Sequence, residues 1–191
     1  KFNFPKGSMQ LVNAATSASI GESLKNFESV MSPGGSAANT IHGLGMMGVE
    51  TGFLCRTGND KIGRFFEDSM REVGVVPVVL SSSSPSGIAR AIVSPDGERT
   101  FATFLGAAAE LHADDIKASM FRGYDFCYIE GYLISNRELF AKAISLAKQV
   151  KAKVVLDLAS YNVVDENRDF LVNLLPYIDI AFANEEEARS L

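Results

Sequence analysis

Cysteine and histidine are scarce in this 191-residue sequence, with two of each. Cys55, Cys127, His42 and His112 lie far apart, so no zinc-ligand spacing is present. Each cysteine sits inside an apolar run, Phe53-Leu54-Cys55 and Phe126-Cys127-Tyr128. Buried free thiols are the reading for both, and a disulfide is the alternative. No run of Lys or Arg stands out and the net charge is -5, so a nucleic-acid partner or an anionic membrane surface has no electrostatic support. No apolar stretch reaches the roughly 20 residues that a membrane-spanning helix needs. The opening Lys1-Phe2-Asn3-Phe4-Pro5-Lys6-Gly7 lacks a long apolar segment, so it does not read as a signal peptide, and a cytoplasmic location is expected. Internal repeats are absent, and low complexity is confined to Ser81–Ser84, closed by Pro85-Ser86 as a short loop.

What the chain does have is apolar material. Hydrophobic residues make up 47% and charged residues 21%, enough for one sizeable core and too apolar for intrinsic disorder. Phe53-Leu54-Cys55 reads as a buried strand. Ile62, Phe65, Phe66, Met70 and Val73 then recur at helical spacing, ended by Gly74. Residues 76–105 change period: Val78-Val79-Leu80 is a strand, and residues 87–94 and 98–105 alternate around Pro95-Asp96-Gly97, which is hairpin chemistry. A small antiparallel β unit is therefore expected between αβ segments. After it come a strand at Phe126–Glu130, a capping box at Ser135-Asn136-Arg137-Glu138 opening a helix, and a strand at Val154–Leu158. A helix at Phe170–Leu175 is stopped by Pro176, a strand follows at Ile178–Ala183, and Asn184 opens a last helix. Strands of near-continuous apolar character alternating with helices predict a parallel sheet covered on both faces. Ligands bind such sheets beyond the carboxyl ends of the strands, where Gly58, Asp60, Glu130, Asp157 and Asn184 fall.

Five segments carry candidate chemistry. In Pro33-Gly34-Gly35-Ser36-Ala37-Ala38-Asn39-Thr40, glycines let a ligand approach the backbone, N–H groups at a helix start favour a polyhydroxylated or anionic ligand, and Asn39 can both donate and accept. A tight turn before a closely packed helix is the alternative. Asp60, in Thr57–Gly63, reads as a helix N-cap more than as a catalytic group. Arg99, beside the hairpin tip, either reaches over a ligand or is simply solvated. Glu130, followed by Gly131, is placed to accept hydrogen bonds from hydroxyls, with a structural cap as the alternative. Asn184 and Glu187, three apart, could hold a hydrated Mg²⁺ and orient phosphates, or form a plain N-cap with dipole-favoured acids.

Taken in order, these segments resemble the ribokinase-like (PfkB) carbohydrate kinase family. Gly34-Gly35 with Asn39 is similar to its N-terminal sugar-binding motif, and Gly58-Asn59-Asp60 with Gly63 and Gly74-Val75 to its next block. Asn184 with Glu187 is similar to its Asn-x-x-Glu motif, and Glu98–Phe101, Leu105–Ala108 and Glu130-Gly131-Tyr132 resemble the adenosine-kinase-like branch. The resemblance implies a three-layer α/β/α sandwich with a mostly parallel sheet over residues 1–191, to which residues 76–106 contribute a β-sheet lid. It implies transfer of the ATP γ-phosphoryl group to a hydroxymethyl group of a small sugar or nucleoside, a non-catalytic regulator binding such ligands being the alternative. Gly34, Gly35 and Asn39 would bind sugar hydroxyls with Glu130, Arg99 would belong to the lid, and Asn184 and Glu187 would position ATP phosphates and Mg²⁺, the metal contact falling to Glu187. The family's first core strand would precede residue 1, and its anion hole with the catalytic Asp would follow residue 191. No catalytic base is therefore assigned, and this piece alone is expected to be inactive. Exposed lid edges would be covered by pairing lid to lid in a homodimer.

Overall fold

The computed structural model describes residues 3–191, which divide into two compact units, one ending at Glu110 and the other spanning Leu111–Leu191.

The first unit begins with strand β1 (Met9–Leu11) and helix α1 (Ala14–Leu24), capped by Asn13, whose side chain accepts from Thr16 N at 2.8 Å. Helix α2 (Ser36–Met46), strand β2 (Thr51–Gly58), helix α3 (Lys61–Glu72) and strand β3 (Val75–Ser82) follow. Strands β2 and β3 pair in parallel, Thr51 with Val75 through to Gly58 with Ser82. The apolar face read from Ile62 to Val73 packs as expected: Met70 and Val75 join Ala38 of α2 in one core, with Phe53 and Phe66 against it at 5.7 Å between rings. The hairpin of β4 (Ile88–Val93) and β5 (Arg99–Phe104) forms around Pro95-Asp96-Gly97. Its turn is closed by Gly97 N donating to Ser94 O at 2.8 Å. Strand β1 adds to it, parallel to β5, giving the order β1-β5-β4.

The antiparallel unit is smaller than the expected residues 76–105. Residues 76–82 are not part of the antiparallel unit; they are the second strand of the β2–α3–β3 segment. A parallel pair needs a crossover, and α3 supplies it.

The second unit has β6 (Phe126–Glu130), α4 (Arg137–Gln149), β7 (Lys153–Asp157), α5 (Tyr161–Leu174), β8 (Ile180–Phe182) and α6 (Glu185–Ser190). Its strands form an all-parallel sheet ordered β6-β7-β8. Val154 and Leu156 of β7, Phe140 and Ala147 of α4, and Val164 and Leu171 of α5 are completely or almost completely buried. The cap of α4 is Asn136 rather than Ser135: the Asn136 side chain accepts from Leu139 N at 3.1 Å, while Ser135 Oγ donates to Tyr132 O. A short 3₁₀ helix at Gly131–Ser135 occupies Ser135, so the α-helix starts one residue later. Helix α5 is longer than the periodicity showed. It starts at Tyr161, capped by Ser160, and is broken at Asn167, whose backbone is non-helical (φ -126°). Among the described residues no helix is long and apolar enough to cross a membrane.

Candidate functional site

Three strand ends of the second unit meet at one edge of its sheet. Glu130 closes β6 and is the register partner of Asp157, which closes β7. Asp157 in turn pairs with Phe182 of β8, two residues before Asn184. Parallel pairing brings all the carboxyl ends to the same side.

Glu130 is 8% exposed. Its Oε1 accepts from the Tyr128 hydroxyl at 3.1 Å, whereas its Oε2 is buried and has no hydrogen-bond partner among the described residues. A buried carboxylate oxygen without a partner is costly, so Oε2 is an acceptor for a donor that the described residues do not supply. The same hydroxyl lies 3.2 Å from Asp157 Oδ2, and Asp157 Oδ1 accepts from Ala159 N at 2.9 Å. Ala159 holds a left-handed backbone (φ 67°), a conformation that non-glycine residues adopt at a cost and that clusters at functional sites. Gly131 is there because nothing larger fits: a Cβ would sit 2.6 Å from Leu158 O. Its absence lets the ends of β6 and β7 close together beneath Glu130.

Asn184 and Glu187 form a reciprocal capping box. Asn184 N donates to Glu187 Oε2 at 2.9 Å, Asn184 Nδ2 to Oε1 at 2.8 Å, and Glu187 N to Asn184 Oδ1 at 2.9 Å. Glu187 is 6% exposed, so this carboxylate is aimed as well as buried. Each oxygen accepts one N–H and keeps a second lone pair. Among the described residues no three His, Cys, Asp or Glu side chains gather as a metal cage. The donor set therefore fits a cation that keeps its own waters, as Mg²⁺ does, and not one enclosed by protein oxygens.

The other candidates belong to the first unit. Gly35 is the N-cap of α2 with φ 104°, a conformation open to glycine, and a Cβ at Gly34 would meet nothing within 4 Å. Backbone N–H groups at the start of α2 lie beside an exposed Asn39. Arg99 is exposed at the start of β5, its guanidinium 5.9 Å from the Phe101 ring centre. Asp60 is structural, as its spacing indicated. Its Oδ1 accepts from Gly63 N and from Ser86 Oγ, and its Oδ2 from Ser86 N, all at 2.8 Å. Burial pushes the Asp60 carboxyl up, but the N–H groups of Gly63 and Ser86 and the Ser86 hydroxyl outweigh it and hold the carboxyl below the ordinary carboxylate value. Gly58 belongs to the same junction: a Cβ there would lie 2.4 Å from Ser84 O.

Both thiols are free. Burial, with the nearby charge of Glu67 adding to it, pushes Cys55 up to about 12, and burial raises Cys127 to about 11. Both thiols are therefore held in the protonated form at neutral pH.

Sequence reasoning placed Asp157 at a strand end without giving it a role, and passed over Tyr128 altogether. The signal was available: Tyr128 and Glu130 are two apart on one strand, so they share a face. A cleft lined by Leu11, Ser84, Phe104 and Glu110 was not legible, because it assembles four separate segments of the first unit.

The pfkB family carbohydrate kinase model matches residues 7–191. The chain is 32% identical over 171 residues to adenosine kinase of Dictyostelium discoideum, covering 83% of this chain and 49% of that protein. It is 28% identical over 166 residues to 5-dehydro-2-deoxygluconokinase of Halalkalibacterium halodurans, covering 81% of this chain and 50% of that protein. The crystal structure of adenosine kinase from Sinorhizobium meliloti superposes with a TM-score of 0.84 at 27% identity, over 97% of this chain and 58% of that one. The chain thus spans about half the length of the curated relatives it matches.

Proposed function

Since this chain belongs to the pfkB family of carbohydrate kinases and has its ribokinase-like α/β fold, we propose that the full-length protein transfers the γ-phosphoryl group of ATP to a hydroxymethyl group of a sugar or nucleoside. The observation that carries this reading is Glu130 Oε2, a buried acceptor with no donor among the described residues, at the carboxyl end of a parallel sheet. An acceptor hydroxyl would satisfy it, and binding would then relieve a cost already present in the free protein. Relatives named adenosine kinase and 5-dehydro-2-deoxygluconokinase support both acceptor classes.

In this reading Gly34, Gly35 and Asn39 bind acceptor hydroxyls through the α2 N-terminus and a carboxamide, and Arg99 with the β1-β5-β4 sheet acts as a lid. Asn184 and Glu187, joined by their capping box, would be the residues that hold a hydrated Mg²⁺. The cation would neutralise charge on the transferring group. The residues themselves do one thing: the capping box fixes the direction of the Glu187 carboxylate before ligand arrives, which is the preorganisation phosphoryl transfer depends on. Met9, Leu11 and Val93 are exposed on the lid strands, and a second copy of the lid would cover them, in a cytoplasmic homodimer.

The test is a coupled assay on the full-length protein with ATP, Mg²⁺ and a panel of ribose, fructose, 5-dehydro-2-deoxygluconate, adenosine and other nucleosides. One acceptor should support turnover, and Glu130→Gln should lower kcat/KM for it by ~10–100-fold, as expected for losing a hydrogen bond to a charged group. ATP consumption with none of them would end the kinase reading.

A further inference from the structure

Asp96-Gly97, at the tip of the hairpin between β4 and β5, is the one place in the sequence where an Asp or Asn is followed directly by glycine. A side chain on the following residue crowds the approach of its backbone nitrogen to the Asp carboxyl. Glycine removes that obstacle and lets the chain take the bent conformations the approach requires. Both residues are exposed, so water reaches the tip.

The folded turn holds the two reacting groups apart. Gly97 N donates to Ser94 O at 2.8 Å, which aims the N–H away from the Asp96 carboxyl. Asp96 Oδ2 is ion-paired with Lys6 Nζ, and Oδ1 accepts from Glu98 N at 3.5 Å. The Lys6 ammonium, with the Glu98 N–H adding to it, holds the carboxyl below the ordinary carboxylate value, so it stays ionised and is a poor electrophile. Lys6 is itself placed by a separate segment. Ser8 N donates to Pro5 O at 3.2 Å, Gly7 N donates to Thr100 Oγ1 at 3.0 Å, and Phe101 N donates to Ser8 O at 2.8 Å. The pair of Lys6 and Asp96 is more than half exposed on both sides, 55% and 58%, and exposed pairs of this kind open readily.

We propose that Asp96 is a site of spontaneous isomerisation to isoaspartate and that its ion pair with Lys6 sets the rate. When the pair opens and the carboxyl takes a proton from solvent, Gly97 N attacks Asp96 Cγ. A C–N bond forms, a C–O bond breaks, and the amide hydrogen leaves with the hydroxyl as water, closing a five-membered succinimide. One water then adds back and one ring C–N bond breaks. Breaking the bond at Cγ restores Asp96; breaking the other leaves the main chain running through Cγ. Water is the sole co-reactant and the mass is unchanged. The isomer has one extra carbon in its main chain, and its carboxylate sits directly on Cα. Lys6 then loses its partner, and residues 5–8 come loose from the hairpin tip. Nothing in this inference draws on the kinase reading.

The experiment holds the full-length protein at neutral pH and physiological temperature for several weeks. Trypsin then cuts after Arg90 and Arg99 and releases residues 91–99, whose two isomers separate by chromatography at one mass. A second peak should grow in native wild type. Lys6→Ala should form it ~1.5–5-fold faster, the effect of losing an exposed ion pair, and Lys6→Arg should match wild type. A native wild type that stays in one peak, or equal rates in wild type and Lys6→Ala, overturns the proposal; the first of these needs no variant to fold. Hydrogen exchange at the Gly7 and Phe101 amides should be faster in the isomerised fraction, and equal exchange would overturn the release of residues 5–8.

Discussion

Glu130 and Asp157 stand opposite one another in the parallel register of β6 and β7, and one hydroxyl, that of Tyr128, reaches both carboxyls, at 3.1 and 3.2 Å. A phenol has a single hydrogen to offer, so two acids compete for it. The contact also decides which oxygen of Glu130 is left over, because Oε1 is engaged and Oε2 is not. In the proposed reading Tyr128 would be a positioning residue, acting on the acceptor through Glu130.

Tyr128→Phe should separate this role from packing. The ring stays and only the hydroxyl goes, so the melting temperature should change by no more than a few degrees. The KM for the acceptor should rise about tenfold, the effect of one hydrogen bond, while the KM for ATP stays put. Steady-state kinetics of the full-length protein with each substrate varied would check it, and equal changes in both KM values would contradict the assignment.

Gly131→Ala should damage both stability and activity. The new Cβ would lie 2.6 Å from Leu158 O and 3.0 Å from Asp157 O, and backbone atoms cannot swing aside as a side chain can. Forcing the two strand ends apart costs ~1–3 kcal/mol by analogy with overpacked cores. Thermal denaturation is the measurement; an alanine variant as stable as wild type would mean the strand ends have room that the geometry denies them.

Asp60→Asn should cost stability at neutral pH and progressively less in acid. The folded carboxyl titrates below its unfolded value, so its contribution is fully present above about pH 4 and fades as pH falls through the folded pKa. Asparagine can still accept from Gly63 N but cannot accept from Ser86 N at its other end. The melting-temperature gap between wild type and variant should therefore shrink from pH 7 to pH 3.5. A gap that widened would reverse the sign of the argument.

Cys55 and Cys127 should resist alkylation at pH 8 in the folded protein and react quickly once it is unfolded. With pKa values of about 12 and about 11, the thiolate fraction at that pH is very small. Mass spectrometry after iodoacetamide treatment, with and without denaturant, gives the comparison. Rapid native labelling of either thiol would show that its surroundings are more open than described.

Much of the chain could be read in advance where one physical signal dominates. The 3.6-residue period of α3 is written by five large apolar residues, and Pro95-Asp96-Gly97 has few uses other than a hairpin turn. Helix α1 was invisible because its buried face consists of little beyond Ser17 and Ile20 in a run of small residues. The first half of α5 was hidden by the break at Asn167, where the backbone leaves the helix and the apolar spacing shifts with it. At the candidate site, the acids at strand ends were legible from position alone. What was not legible is pairing: which strand lies beside which decides that Glu130 meets Asp157, and that β3 joins β2 rather than the hairpin. Register is a property of the assembled sheet, so a residue list can name the parts of this site without showing which parts touch.

The Gly87 backbone approaches Leu105 so closely that a Cβ there would lie 2.6 Å from the carbonyl oxygen, just where the two arms of the hairpin leave the body of the first unit. With Pro85 and Ser86 fastened immediately before it, the root of the hairpin has no slack. Any bending of the hairpin relative to the rest of the first unit must therefore come from flexing of β4 and β5 beyond that root, so the length from root to tip limits its reach.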